Sequence, residues 1–336
     1  IYKRSIIVKR QIANLARRKL FRADQAFANE IIAYTKVMPQ FHQFADSIDV
    51  SLPLIDCLFA GADDQGELIE LATHHGVSLA AKQLHPMDFG SCVSNIGEAI
   101  YCEESFDFFA ASLECSLKEA LFSLRKSSNT YPNLNMAIYQ MEKLKGQLFR
   151  KMYNCVWDTR PDWRVICHGD LWINNLMFKY NCRGECDGVK FIDLQTLRYT
   201  SPAIDILHFL YTSTEFCVRD QYYDQLIDDY VDALYKTLQK FEVQDYYVPN
   251  VQALNTIIRQ EIRDKVMYGL GVCMWLMPAV TFHPDNVLNL DTVEADDFAS
   301  DNQEKTLTQM QTPEYHVRMR DTILEFYQRG IFDDLV

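Results

Sequence analysis

His168-Gly169-Asp170-Leu171-Trp172-Ile173-Asn174-Asn175, followed by Phe191-Ile192-Asp193-Leu194-Gln195, is the stretch on which the reading of this chain turns. Two carboxylates and a carboxamide lie within about twenty-five residues, each beside a short apolar run. Phosphoryl transfer asks a protein for positioning, for hard oxygen ligands to metal ions on the phosphates, and for a group that receives the acceptor's proton. Asp170 suits the last task, and Asn175 and Asp193 suit the second. The bland reading is that Asp170 and Asn175 cap a turn and Asp193 ends a strand.

Spacing favours the chemical reading. Asp170 and Asn175 stand five apart, the offset of the protein-kinase catalytic loop H-R-D-x-x-x-x-N. Val165-Ile166-Cys167 reads as a buried strand, and Leu176 to Tyr180 reads as another. Residues 181–188 read as a turn ending in the Asp187-Gly188 signal, and Val189 to Ile192 returns as a strand. The hairpin so formed carries Asn175 at its entry and Asp193 at its exit, on the same end.

Working outward, residues 168–178, H-G-D-L-W-I-N-N-L-M-F, strongly resemble the H-G-D-L-W-x-N-N-x-M-F signature of the insect ecdysteroid kinase-like proteins. That family belongs with choline kinases and aminoglycoside phosphotransferases. Asp193-Leu194-Gln195 resembles its D-F-Q, and Ser201 to Ile206 resembles its S-P-x-x-D-L. The resemblance extends to Ser5–Lys9, Phe27–Ile31 and the segment around Tyr327–Ile331. It implies an α+β, bilobal protein kinase-like fold that uses ATP and Mg²⁺. Asp170 would be the catalytic base, with Asn175 and Asp193 as magnesium ligands. Lys9 would sit on the ATP phosphates with Glu30 as its ion-pair partner, and Asp205 would brace the catalytic loop from the helix behind it. Leu68-Ile69-Glu70-Leu71 stands where the family has L-E-D-L, which makes Glu70 and Leu71 the expected contacts to the nucleotide base. The sequence begins at Ile1, almost on the lysine strand, before which the family carries its phosphate-covering hairpin. The helix segment L-x-x-F-H-A, usual in the family after the hinge, is not found in residues 88–110.

Several of these residues have a plainer alternative. Lys9 could be a solvated strand end and Glu30 a helix-surface charge. Asp205 could be an ordinary carboxylate at a helix N-terminus, favoured by the dipole. His168 reads as a structural hydrogen-bonding residue, because Asp170 already has the position of the base.

The rest of the chain yields a domain plan. Ser5–Lys9, Leu52–Phe59 and Glu67–Leu71 read as strands of a small antiparallel sheet, with a helix over residues 11–38 that ends near Pro39. From there on, Phe106–Lys126, Leu134–Trp157, Tyr222–Phe241, Val251–Met277 and about Pro313–Gln328 carry helix-period apolar residues. The expected division is a small lobe over residues 1–72 and a large, mainly helical lobe over 73–336, with a ligand cleft between them. Residues 285–305 read as a surface loop.

Composition bounds partners. The 336 residues are 48% hydrophobic, ample for a large core, and carry a net charge of −13. That balance argues against nucleic acid or an anionic membrane as partner, and nothing points to a protein partner. Ten cysteines are scattered without metal-ligand spacing, and no signal peptide is recognisable, so reduced thiols in a cytoplasmic protein are the expectation. The acceptor is expected to be a small-molecule alcohol, an ecdysteroid or a similar apolar one. The alternatives are a choline- or aminoglycoside-type acceptor, or a catalytically silent kinase-fold protein that only binds ligand. Tyr268, Met274, Trp275 and Met277 could line an apolar acceptor pocket or could simply be core, and core is the default.

Overall fold

A computed structural model describes residues 19, 22–48, 50–52, 67–127, 130–184, 186–281 and 311–332. Lys9 and the expected strands at Ser5–Lys9 and over residues 53–59 lie outside the described residues, as does the expected loop at 285–305.

The described chain is mostly helical, with two small antiparallel strand pairs. Helix α1 (Ala23–Ile32) passes through a π-helical turn, Ala33–Val37, into α2 (Met38–Asp46). Pro39 therefore does not end the helical path. The π turn widens the helix just ahead of the ring, where an ordinary α turn would set Cδ against the preceding carbonyls and leave one of them without its N–H donor. Helix α3 (Glu67–Leu84) and α4 (Pro86–Val93) follow, then α5 (Phe106–Ser127), α6 (Pro132–Glu142) and α7 (Leu148–Trp157). The continuous helix expected over 134–157 is thus broken at residues 143–147, where Gly146 takes a left-handed φ of 70°. Next come β1 (Val165–Cys167), β2 (Leu176–Tyr180), β3 (Cys186–Phe191) and β4 (Arg198–Thr200). The chain continues with α8 (Ala203–Ser213), α9 (Phe216–Lys240), α10 (Gln244–Tyr247), α11 (Val251–Thr281) and α12 (Pro313–Gln328).

The expectation of a strand at Glu67–Leu71 is overturned. Those residues form the first turn of α3, which runs unbroken through residue 72. A five-residue apolar run does not distinguish a strand from a helix start. The tertiary partner decides. One turn of α3 presents His74 and Ser78 to β1, whose Ile166 directs its N–H and C=O away from β4. Ser78 Oγ accepts from Ile166 N at 2.8 Å, and His74 Nε2 lies 2.8 Å from Ile166 O. The exposed edge of a two-stranded sheet is thereby satisfied by side chains four residues apart on one helix face.

β1 pairs with β4 and β2 with β3, both antiparallel. The β2–β3 turn closes earlier than the Asp187-Gly188 signal suggests. Both of those residues lie within β3, beside an irregularity of register at Lys179/Tyr180. The turn itself is made by Asn181 to Gly184, with Gly184 at φ 79°. The core is one apolar cluster of helix faces, in which α11 packs on α8 and α7, and α9 packs on α3. Tyr268, Met274 and Met277 are buried in it and Trp275 packs against it, so this face of α11 is core.

Candidate active site

The candidate loop is built from the end of β1. Val165, Ile166 and Cys167 are fully buried, which anchors the chain before it turns. His168 and Gly169 then direct their backbone N–H groups at one carboxylate: Asp205 Oδ2 accepts from His168 N at 2.7 Å and Oδ1 accepts from Gly169 N at 2.8 Å. Asp205 lies in the first turn of α8 and is wholly buried. A carboxylate that takes two buried backbone donors does more than answer its own helix dipole, since it satisfies N–H groups that water cannot reach. His75 of α3 stands behind it, with Nε2 3.2 Å from Asp205 Oδ2 and Nδ1 2.7 Å from the Tyr230 hydroxyl. Burial raises the Asp205 pKa, but the His75 hydrogen bond and charge, the nearby His168 ring and the Gly169 N–H together hold it well below the usual carboxylate range.

Gly169 has φ 85°, and a Cβ there would come 1.9 Å from the Thr196 carbonyl oxygen. Only glycine fits so close a crossing of two backbones. The crossing brings the candidate loop against the turn that follows Asp193. His168 ties the same two segments together: Nε2 donates to Ile192 O at 2.8 Å, and Nδ1 accepts from Asp170 N at 3.3 Å. Both ring nitrogens are thus used in holding the loop.

Asp170 has a quarter of its side chain exposed. Asn175 Nδ2 donates to its backbone oxygen at 2.8 Å and to its Oδ2 at 3.1 Å. His208 Nε2, from α8, stands 3.4 Å from Oδ1. Burial raises the pKa of Asp170, yet the nearby His208 and His168 rings and the Asn175 amide outweigh it, so the carboxyl is held below its ordinary value. The result is an ionised, partly accessible carboxylate with both oxygens oriented.

Asn175 and Asp193 flank the mouth of the β2–β3 hairpin. Leu176 faces Phe191 in the register, and Ile192 N donates to Asn175 O at 3.0 Å. Asp193 follows with φ 64° and ψ 57°, left-handed backbone that a non-glycine residue adopts at a cost, aspartate more readily than most. With the Asn175 amide hydrogens on Asp170, its Oδ1 is the atom this arrangement leaves for a cation. An amide oxygen and a carboxylate at one hairpin mouth are hard donors of the kind Mg²⁺ takes.

A sequence model of the ecdysteroid kinase-like family matches residues 1–69 and 65–243, most of the chain. The chain belongs to the ecdysteroid kinase-like family. No curated protein and no solved structure gives a significant match. Membership in the ecdysteroid kinase-like family implies a kinase-like fold and points to phosphotransfer on small molecules.

The remaining expected residues divide. Glu30 lies on α1, only 8% exposed, and α1 packs against Leu194–Thr196, next to Asp193. Its neighbour Asn29 donates to Gly97 O at 2.8 Å and to Gln195 O at 3.3 Å. Helix, loop and hairpin exit are thereby linked. Glu70 and Leu71 belong to α3, with Leu71 fully buried in the core.

Sequence reasoning missed four residues. His75 and His208 hold the two carboxylates, and the buried pair Glu98 Oε2–Arg198 Nε, at 3.3 Å, lies next to the loop. Each has its partner 38 to 130 residues away, and none sits in a recognisable motif. The only local hint was polarity inside apolar runs, as with His208 in Ile204–Tyr211.

Proposed function

We propose that this protein is an ATP- and Mg²⁺-dependent kinase of a small-molecule hydroxyl group. One observation carries the reading: Asp170, partly accessible, is held ionised beside Asn175 on a loop that Asp205 fixes through two backbone N–H bonds. A carboxylate so held can orient the acceptor hydroxyl and take its proton as the oxygen attacks the terminal phosphorus. Asn175 and Asp193 would hold the metal. Magnesium, when bound, supplies positive charge to the phosphate oxygens. Lys9, outside the described residues, with Glu30 as its ion-pair partner, would position the inner phosphates. The loop's rigidity contributes through orientation, since an attacking group pre-aimed at its target loses little freedom on reaching the transition state.

The acceptor we infer is an apolar alcohol of the ecdysteroid type. Its support is family membership alone, because the aromatic and methionine face of α11 belongs to the core. Apolar recognition predicts that affinity comes from buried area, about 25 cal/mol per Å² before ordering costs, and that it changes little with salt. The test measures ATP consumption with Mg²⁺ against ecdysone, choline and kanamycin, and then the KM of the best acceptor at low and high ionic strength. Ecdysone as best substrate with a salt-insensitive KM supports the reading. A cationic acceptor whose KM climbs steeply with salt would replace it with an acidic pocket.

A further inference from the structure

We infer that His208 is a positioning residue for Asp170, set in its working tautomer by a buried polar chain that starts at Glu98. The inference rests on the kinase reading of Asp170 and adds a residue to it. His208 is almost fully buried on α8, and its Nε2 is shielded from solvent, with no hydrogen-bond partner of good geometry among the described residues. That nitrogen stands 3.4 Å from Asp170 Oδ1. On the other side of the ring, Nδ1 lies 3.1 Å from the Tyr268 hydroxyl. Tyr268 Oη in turn lies 3.4 Å from Arg198 NH1, and Arg198 Nε is 3.3 Å from Glu98 Oε2.

Arginine can only donate, so the Tyr268 oxygen accepts from Arg198, and its own hydrogen goes to His208 Nδ1 or to its other neighbour, the Tyr101 hydroxyl. With that hydrogen on Nδ1, as we infer, neutral His208 carries its proton on Nε2, the nitrogen that faces Asp170. Arg198 cannot turn away, because it is buried beside Glu98 with its guanidinium 5.0 Å from the Tyr101 ring centre. Glu98 is fixed as well, since its Oε1 accepts from Ile100 N at 2.9 Å and Tyr101 N at 3.0 Å. A buried N–H with one carboxylate in front of it orients that carboxylate. The 3.4 Å separation is of the length catalytic hydrogen bonds show before substrate closes them. Asn175 holds the other oxygen, so loss of His208 frees Asp170 to rotate about its last bond without unseating the loop.

The experiment has two arms. Histidine-labelled protein gives long-range proton–nitrogen NMR spectra in which the His208 ring is identified by its disappearance in His208→Gln. The inference predicts an Nε2-protonated ring whose Nε2 signal moves in Asp170→Asn and whose tautomer balance changes in Tyr268→Phe. A His208 signal identical in wild type and Asp170→Asn overturns it. The second arm measures phosphate transfer from Mg-ATP to ecdysone, choline and kanamycin. His208→Leu should lower kcat about 10- to 100-fold and leave the KM for Mg-ATP within about twofold. His208→Gln, which returns an N–H near the Nε2 position, should recover most of the loss. An unchanged kcat in folded His208→Leu, or no recovery in folded His208→Gln, overturns the inference. If wild type transfers phosphate to none of the three, the kinase reading fails, and the NMR arm alone decides whether His208 orients Asp170.

Discussion

Asp205 joins three segments far apart in sequence: it accepts from His168 and Gly169 and faces His75. Replacing it by alanine leaves two buried backbone donors and the Nε2 of His75 without a partner. Each donor so orphaned costs about 1–3 kcal/mol, and breaking a buried, paired charge typically costs about 3–5 kcal/mol. We expect Asp205→Ala to lose several kcal/mol of stability together with activity, measured by urea unfolding. An unchanged midpoint would return Asp205 to the role of an ordinary helix-end carboxylate. What was legible at this scale was the candidate residues that stand in a local pattern. Asp170, Asn175 and Asp193 sit in a motif, and Asp205 follows a proline at a helix start. His75, His208, Glu98 and Arg198 act through partners brought in by the fold, and no local pattern distinguishes them from other polar residues near apolar runs.

At the scale of elements, the hairpin strands and α12 were legible because alternation, turn residues and the Thr312-Pro313 start are local signals. Thr312 Oγ1 accepts from Tyr315 N at 3.1 Å, an N-cap that any reader of the sequence could expect. The start of α3 was not legible, because its assignment depends on the edge of β1, about ninety residues later. The same helix offers a test of how tightly it is seated. A Cβ on Gly76 would meet Thr237 Cγ2 at 2.6 Å and Cβ at 2.8 Å, across the α3–α9 contact. Gly76→Ala should gain about 1 kcal/mol of helix propensity. The threonine is β-branched and stiff and cannot turn aside, and overpacking costs about 1–3 kcal/mol. The expected result is net destabilisation, relieved by Thr237→Ala in the same chain. Stabilisation by Gly76→Ala alone would mean that α3 and α9 lie farther apart than described.

For the whole molecule, buried ionisable groups set the response to acid. Burial, with the charge of neighbouring His75, pushes the pKa of His74 down to about 3, against the raising effect of Asp205 and the Ile166 carbonyl. Below the ordinary histidine value the unfolded chain takes up a proton that folded His74 refuses. The folded state therefore loses about 1.4 kcal/mol per pH unit from this one residue between about pH 6.5 and pH 3. Asp205 acts lower on the scale. Its depressed pKa contributes stability that is fully present above the ordinary aspartate value and fades as pH falls below it. Melting temperature should fall steadily from about pH 6.5 downward, with a further drop below about pH 4. His74→Gln should flatten the upper part of that profile, and an equally steep profile in the variant would assign the acid response to other groups. Among the described residues no helix is long and apolar enough to cross a membrane.

Whether Asp170 serves as the base of a phosphoryl transfer is decided by one comparison. Wild type and Asp170→Asn are each given γ-labelled Mg-ATP and the same three acceptors, with nucleotide affinity measured alongside. Asparagine keeps the shape of the side chain and removes its basicity. The predicted result is a labelled acceptor from wild type, a rate reduced about 10²- to 10⁴-fold in the variant, and Mg-ATP affinity nearly the same in both. Turnover by Asp170→Asn within tenfold of wild type, or no labelled acceptor from wild type at all, would contradict it.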